Sequence, residues 1–240
     1  MTKHRPDIFY KYMPANTAKL VLENSTLRWS SPLDFNYVFD VPRELAFTVK
    51  PSDIQKSIAM KLAKTILNPP ENTDHLNAKI RLILQRTKTA TKSQKQEIVE
   101  SLNDTSVVDE NLESEGLEMI NDIWKNWIPE MRILCFCENH NKASMWYHYA
   151  QQYTGAVIEL KANSESDSPW LEARKISYSD DLPYAFTPDG WAELTMLSQD
   201  KIGKTLYDTC IYTKTTDCAY ENEWRISTYK RPSESGTHSD

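Results

Sequence analysis

The sequence predicts an α+β fold with few strands, spread far apart along the chain. Two observations lead there. Short strand-like apolar runs at the two ends of the chain flank a long central stretch of helical periodicity. Pro and Ser-Pro punctuation cuts the end segments into short pieces, while the central stretch runs on in long ones.

Ile8–Met13 (IFYKYM) reads as the first strand, ended by Pro14. Thr17 is placed to cap a short helix carrying Leu20, Val21 and Leu22. Leu27–Ser30 (LRWS) reads as a second short strand, and Ser31-Pro32 turns the chain. Pro51-Ser52-Asp53 starts a helix with Ile54, Ile58, Leu62 and Ile66 on one face, stopped by Pro69-Pro70. Leu76, Ile80, Ile83 and Leu84 mark another helix, 92–102 a further one, and Ile120, Ile123, Trp124 and Trp127 the last, ended by Pro129. Residues 51–128 thus read as a helical insertion within a single α+β domain spanning 1–240. Mixed structure resumes with the strand Arg132–Cys137 and a helix over Ser144–Tyr153. Gly155–Leu160 and Ala173–Tyr178 read as strands, 190–206 as a helix and Glu223–Tyr229 as the closing strand. The segment 230–240 is a polar tail, expected to fray.

Composition narrows the function classes. Five glycines, with no G-x-G-x-x-G and no G-x-x-x-x-G-K, remove the main support for Rossmann or P-loop nucleotide binding. A net charge of -6 does not suggest a surface committed to nucleic acid as a whole. No apolar run is long enough to span a bilayer and the N-terminus lacks an apolar signal core, so a cytoplasmic location without membrane partners is expected. Cys135, Cys137, Cys210 and Cys218 are spaced C-x-C and C-x7-C, neither a usual zinc spacing, and reduced buried thiols with no metal are expected, a zinc site of Cys135, Cys137 and His140 being the weaker alternative because three ligands so close in sequence are hard to arrange tetrahedrally.

Within the helical block, Lys79, Arg81, Arg86, Lys88, Lys92 and Lys95 occur with no acidic residue among them, and Asp104–Glu118 is acidic by contrast. The plainer reading is two solvated faces that attract each other. The sharper one is a phosphate-facing stripe.

Four segments carry groups suited to chemistry. Glu221 and Glu223 flank Asn222 at the mouth of the last strand. In an extended segment they would point to one face, with carboxylates roughly 5–7 Å apart. Such a pair can supply one proton acceptor and one anion that stabilises a developing cation; the alternative is an edge strand with two solvated glutamates. Tyr10-Lys11-Tyr12 puts a cation between two tyrosines, either for an anionic ligand or with its ammonium reaching solvent. Trp29-Ser30-Ser31-Pro32 offers hydroxyls that bind a ligand or cap the turn. The aromatic face of Met145–Ala150 reads as core, with His148 off that face.

Taken together, YKY, LRWSSPLDFN, CFCENHNKASMWYHYAQQYTGAVIEL and YENEWRI, in that order, resemble the uncharacterised bacterial family catalogued as domain of unknown function twenty-nine seventy-one. The resemblance covers residues 8 to 229 apart from the helical block. Two positions depart from the family pattern: Tyr37 follows Asn36 where aspartate is usual, and Cys137 stands where serine is usual. More distantly, the order of features is similar to the ADP-ribosyltransferase fold, a set of small, mostly antiparallel split sheets.

That similarity implies NAD as substrate. Cleavage of its nicotinamide–ribose bond builds oxocarbenium-like charge. Glu223 would stabilise that charge, and Glu221 would orient or deprotonate the acceptor. Lys11 and Tyr12, with Trp29, Ser30, Ser31, Phe35, Asn36, Trp146, His148 and Arg225, would bind the cofactor. The implied activity is that of an NAD-dependent ADP-ribosyltransferase or NAD-consuming toxin, used in anti-phage defence or paired with an antitoxin, with a protein or nucleic-acid acceptor. The competing expectations are a non-catalytic nucleic-acid-binding module and a protein-interaction domain.

Overall fold

The computed structural model describes residues 7–35, 40–45, 49–102, 110–162 and 169–231. In chain order the described elements are β1 (Ile8–Met13), α1 (Ala15–Asn24), α2 (Pro51–Leu67), α3 (Ala78–Thr87), α4 (Lys92–Leu102), α5 (Glu110–Trp127), β2 (Met131–Cys137), α6 (Ala143–Tyr149), β3 (Ala156–Lys161), β4 (Arg174–Lys175), β5 (Ser177–Tyr178), α7 (Pro188–Met196), α8 (Gln199–Tyr212), β6 (Thr213–Lys214) and β7 (Glu223–Tyr229), joined by loops and short 3-10 turns. The fold is α+β. It divides into two compact units: Met1–Arg43 with Trp124–Asp180 and Tyr212–Asp240, and Glu44–Ile123 with Asp181–Ile211.

The first unit is built on a five-stranded sheet in the order β3-β1-β2-β7-β4, with every neighbouring pair antiparallel. Alternation along the strands separates two faces. Phe9, Leu134, Phe136, Trp224 and Ile226 form one apolar cluster with Ala162 and Ala173, and Trp29 and Trp170 pack against it. Phe9 is fully buried against the rings of Phe136 and Trp224; burial of one such side chain stabilises by about 1.5–3 kcal/mol. The intervening residues Tyr12 and Cys137 lie on the other face, packed with Met145 and Ala150 under α6. β5 and β6 form a separate two-residue parallel pair.

The second unit is helical. Pro51 opens α2, as the sequence implies, and the helix stops at Leu67 before Pro69-Pro70. Asn77 caps α3: its side chain accepts from the Ile80 N–H and donates to the Thr195 carbonyl. Ile66, Leu76, Ile80, Leu84 and Met196 form its core. Of residues 51–128, those up to Ile123 belong to this unit, together with α7 and most of α8.

Several expected elements take other forms. α1 starts at Ala15 directly after Pro14, so Thr17 lies inside it and caps nothing. The LRWS strand reduces to one bridge, Ser30 with Ile133, because Trp29 turns into the apolar cluster. Ala173–Tyr178 is two strands belonging to different sheets, β4 on β7 and β5 on β6. The expected helix over 190–206 is α7 and α8, broken at Leu197, whose extended backbone bridges Leu76. Asn36 and residues 232–240 lie outside the described residues, as do residues 104–109 of the acidic segment, the rest of which belongs to α5.

The predicted helix over Ser144–Tyr153 ends early, and its end is unusual. Gln151, Gln152 and Tyr153 all have positive φ, at 46°, 51° and 70°. Left-handed backbone costs roughly 1–2 kcal/mol per non-glycine residue. Two bonds back into α6 hold it: Gln152 N–H to the Tyr147 carbonyl and Tyr153 N–H to the Trp146 carbonyl, at 3.1 and 3.2 Å. Gly155 closes the turn where β1 passes close by. A Cβ there would stand 2.3 Å from the Met13 carbonyl oxygen and 2.9 Å from Ala150 backbone. Gly155→Ala is therefore expected to lower stability by about 1–3 kcal/mol, read as a drop in urea midpoint at unchanged m-value.

Candidate functional site

β1 and β2 pair only at Tyr10 and Cys137. Backbone groups beside that pair are left for other partners. Lys11 Nζ donates to the Cys135 carbonyl at 3.0 Å, and the Tyr12 hydroxyl donates to the Asn139 carbonyl at 2.8 Å. Beside these strands lies a cavity of about 220 Å³, lined by Tyr10, Lys11 and Tyr12, by Ser30, Asp34, Phe35 and Asp40, by Cys135, Phe136 and Cys137, and by Met145, Tyr149, Lys214, Glu221 and Glu223.

One end of the cavity is a buried charge cluster. Lys214, 4% exposed, places Nζ 2.7 Å from Glu221 Oε2, 3.1 Å from Glu223 Oε2 and 3.1 Å from Asp40 Oδ2. Arg225 is fully buried, donating Nε–H to Glu223 Oε1 at 2.7 Å and a terminal N–H to Asp40 Oδ1 at 2.6 Å. Its guanidinium lies against the Phe35 ring, 5.4 Å from the centroid. The Glu221 Oε1 accepts from the Tyr149 hydroxyl at 2.6 Å. Three carboxylates thus meet two cations, leaving one surplus negative charge.

The two glutamates differ in where that surplus falls. Burial alone would raise both carboxyls. At Glu223 the adjoining Arg225 and Lys214 outweigh burial and hold the carboxyl well below the usual carboxylate range. At Glu221 burial prevails, with Glu223 adding to it against the pull of Lys214, so this carboxyl is raised. Burial and the facing Glu221 also push the Tyr149 phenol up, keeping it a neutral donor. Lys214 is raised despite burial, because Glu223, Asp40 and Glu221 surround it. Burial pushes the Cys137 thiol up to about 11, so it is a neutral group in the cavity wall.

The glutamates come together by a route other than the expected extended one. Glu221 ends a 3-10 turn (Thr216–Glu221), Asn222 follows at φ 44° in the left-handed region, and Glu223 opens β7. Asparagine tolerates that conformation better than most residues. On β7, Glu223 and Arg225 share the face opposite Trp224 and Ile226, and they lie across from Cys137 and Cys135 of β2. The Tyr178 hydroxyl accepts the Glu223 backbone N–H at 2.8 Å.

Of the residues expected to bind a cofactor, Lys11, Tyr12, Ser30 and Phe35 line the cavity together with Glu221 and Glu223. The others do not. Trp29 packs on the apolar side of the sheet. The Ser31 side chain accepts from the Leu33 N–H and caps a turn. Trp146 packs edge-on against Tyr12 and donates to the His140 carbonyl. His148 is exposed beside Tyr147 and Tyr220. Arg225 is held within the ion cluster rather than offered to a ligand. Asp40, Tyr149 and Lys214 were not foreseen. Tyr149 lay in the aromatic helix segment, but nothing local marks Asp40 or Lys214, which arrive through tertiary packing.

Lys79, Arg81 and Arg86 on α3, Lys88 just after it and Lys92 on α4 are exposed, with Lys95 half-buried. Among the described residues no group of three or more His, Cys, Asp or Glu side chains is arranged to hold a metal ion. No helix of the described residues is long and apolar enough to cross a membrane.

Residues 145–226 match a family model described as Protein of unknown function (DUF2971), in agreement with the resemblance read from the motifs. The match takes in α6 from Met145 onward, Tyr178, Lys214 and both glutamates. No curated protein and no solved structure matches the chain.

Proposed function

We propose that the chain is an NAD-cleaving enzyme of the ADP-ribosyltransferase type. The observation that carries this reading is the pair Glu221 and Glu223. Two buried carboxylates on one cation have their proton affinities driven apart, and both face a cavity that Lys11 also lines. Carboxyls driven apart in this way are what a site needs to hold a fixed negative charge beside a proton acceptor.

The reaction assigns each group a part. The bond between ribose C1′ and the nicotinamide nitrogen breaks, and its electron pair leaves with neutral nicotinamide. The ribose is left as an oxocarbenium ion. Net negative charge in the cluster stabilises that cation more than the ground state. The acceptor hydroxyl, from water or a macromolecule, then bonds to C1′ and passes its proton to Glu221. Tyr149 and Lys214 hold Glu221 in place from opposite oxygens. Glu223, already engaged by Arg225 and Lys214, supplies fixed charge and does not exchange the proton. Consumption of NAD in this way would make the protein toxic to a cell, in keeping with a role in defence or with an antitoxin partner.

The test is nicotinamide release from NAD by the purified chain, with and without cell lysate. Release, or transfer of labelled ADP-ribose to lysate components, is expected. Absence of both overturns the proposal.

A further inference from the structure

The basic stripe of the helical unit takes no part in the reaction above. Residues Lys79 to Lys95 hold six cations and no carboxylate, a local charge of +6 in a chain whose net charge is -6. None of the six side chains forms an ion pair or hydrogen bond with a described residue, whereas Lys19, Arg28, Lys61 and Lys204 elsewhere on the surface each face a carboxylate. Neutralisation of the stripe by the acidic segment, the plainer expectation, is thus not borne by any ion pair among the described residues.

The stripe has an order set by the helix. α3 turns by about 100° per residue, and Lys88, at φ -60° and ψ -39°, continues its helical backbone. Ile80, Leu84 and Thr87 are buried and define the inner side. Positions seven apart are nearly two full turns apart, so Lys79 aligns with Arg86 and Arg81 with Lys88, each pair about 10.5 Å apart along the axis. The two rows flank the solvent face, one on each side of it. Leu82, 46% exposed, and Gln85, also exposed, lie between them. The result is two cationic rails along a cylinder about 10–12 Å across.

That form selects its partner among polyanions. The major groove of B-form DNA is about 12 Å wide and admits an α-helix between its two phosphate backbones. The major groove of A-form RNA is deep and narrow and does not. Single strands are held largely by bases stacked on aromatic rings, and the sequence has no Phe, Tyr or Trp between Phe47 and Trp124. Leu82 and Gln85 face the floor of such a groove, where an apolar side chain meets a thymine methyl and a glutamine pairs with the adenine edge.

We propose that the solvent face of α3 docks in the major groove of double-stranded DNA, with Lys79 and Arg86 on one phosphate backbone and Arg81 and Lys88 on the other. This contact needs nothing from the cavity and is a second function beside NAD cleavage.

Fluorescence anisotropy of a labelled 20-base-pair duplex, titrated with the full chain at several salt concentrations, tests it. Four phosphate contacts give a slope of log affinity on log salt of about -3.6, a loss of about 150-fold between about 50 and 200 mM. In Lys79→Gln, Arg81→Gln, Arg86→Gln and Lys88→Gln, taken singly, binding should weaken and the same rise in salt should cost only about 40-fold, one contact fewer. Glutamine keeps the helix propensity of the residue it replaces, and an unchanged thermal midpoint verifies that each variant is folded. Lys19→Gln, outside the stripe, should bind as wild type does. The proposal is overturned if the wild type does not bind the duplex at about 50 mM salt, or if the four variants keep the wild-type slope. Equal or tighter binding of double-stranded RNA or single-stranded DNA of the same length overturns it too, as does a loss in Lys19→Gln matching that of the four.

Discussion

Glu221→Gln is expected to lower nicotinamide release by about 100- to 10,000-fold, the range typical for loss of a general base, while the protein remains folded. The amide is isosteric, and its two ends match the groups already there. Its oxygen can face Lys214 and its NH2 can donate to the Tyr149 hydroxyl, where the carboxylate now accepts from both. The substitution also removes the surplus negative charge of the cluster. Because the Glu221 carboxyl is raised in the folded state, its contribution to stability is fully present below its unfolded value and is lost as pH rises through the folded one. The variant should therefore be at least as stable as wild type at neutral pH, and that slope should vanish from its stability profile. A large loss of both activity and stability would show that Glu221 is a structural group. Unchanged release would remove it from the reaction.

Glu223 should behave in the opposite way. Glu223→Gln leaves Arg225 and Lys214 buried with one carboxylate fewer, and loss of one partner from a buried ion pair costs about 3–5 kcal/mol. Arg225→Met should cost a similar amount, since it strands Glu223 and Asp40. Both losses are read from urea or thermal unfolding. The pH dependence supplies an independent check. The Glu223 carboxyl is depressed from an ordinary 4.5 to about 2, so its contribution, about 3 kcal/mol, is present above the unfolded value and disappears as pH falls toward the folded one. Wild-type stability should therefore drop between about pH 4.5 and pH 2. In Glu223→Gln that part of the drop should be missing. A variant that unfolds with wild-type midpoint and wild-type acid profile would contradict the ion cluster.

The strands and helices that could be read from the sequence carry their own periodicity. IFYKYM, RILCFC and EWRISTY alternate between two buried faces, and α2 and α3 have proline or asparagine at their starts. What could not be read depends on partners distant in sequence. Arg174–Lys175 and Ser177–Tyr178 look like one strand until β7 takes the first pair and β6 the second. Trp29 looks like part of a strand, but a buried cluster uses its ring and only Ser30 bridges. The site divides in the same way. Glu221, Glu223, Lys11, Ser30 and Phe35 stood out by residue type and local spacing, and they meet at one cavity. Lys214 is one lysine in a Thr-rich segment, and Asp40 one aspartate before Val41-Pro42. Their worth lies in the charges they face, which no local pattern records.

The place of β7 has a consequence for biosynthesis. Among the described residues it is the last strand in sequence, yet it lies between β2 and β4. While the polypeptide emerges from the ribosome, N-terminal parts first, the flank of β2 that will receive it stays open, and an open flank of that kind is a template for pairing with other chains. Both glutamates and Lys214 also arrive within the same late stretch. A nascent chain therefore has neither a closed sheet nor an assembled charge cluster until that stretch has emerged.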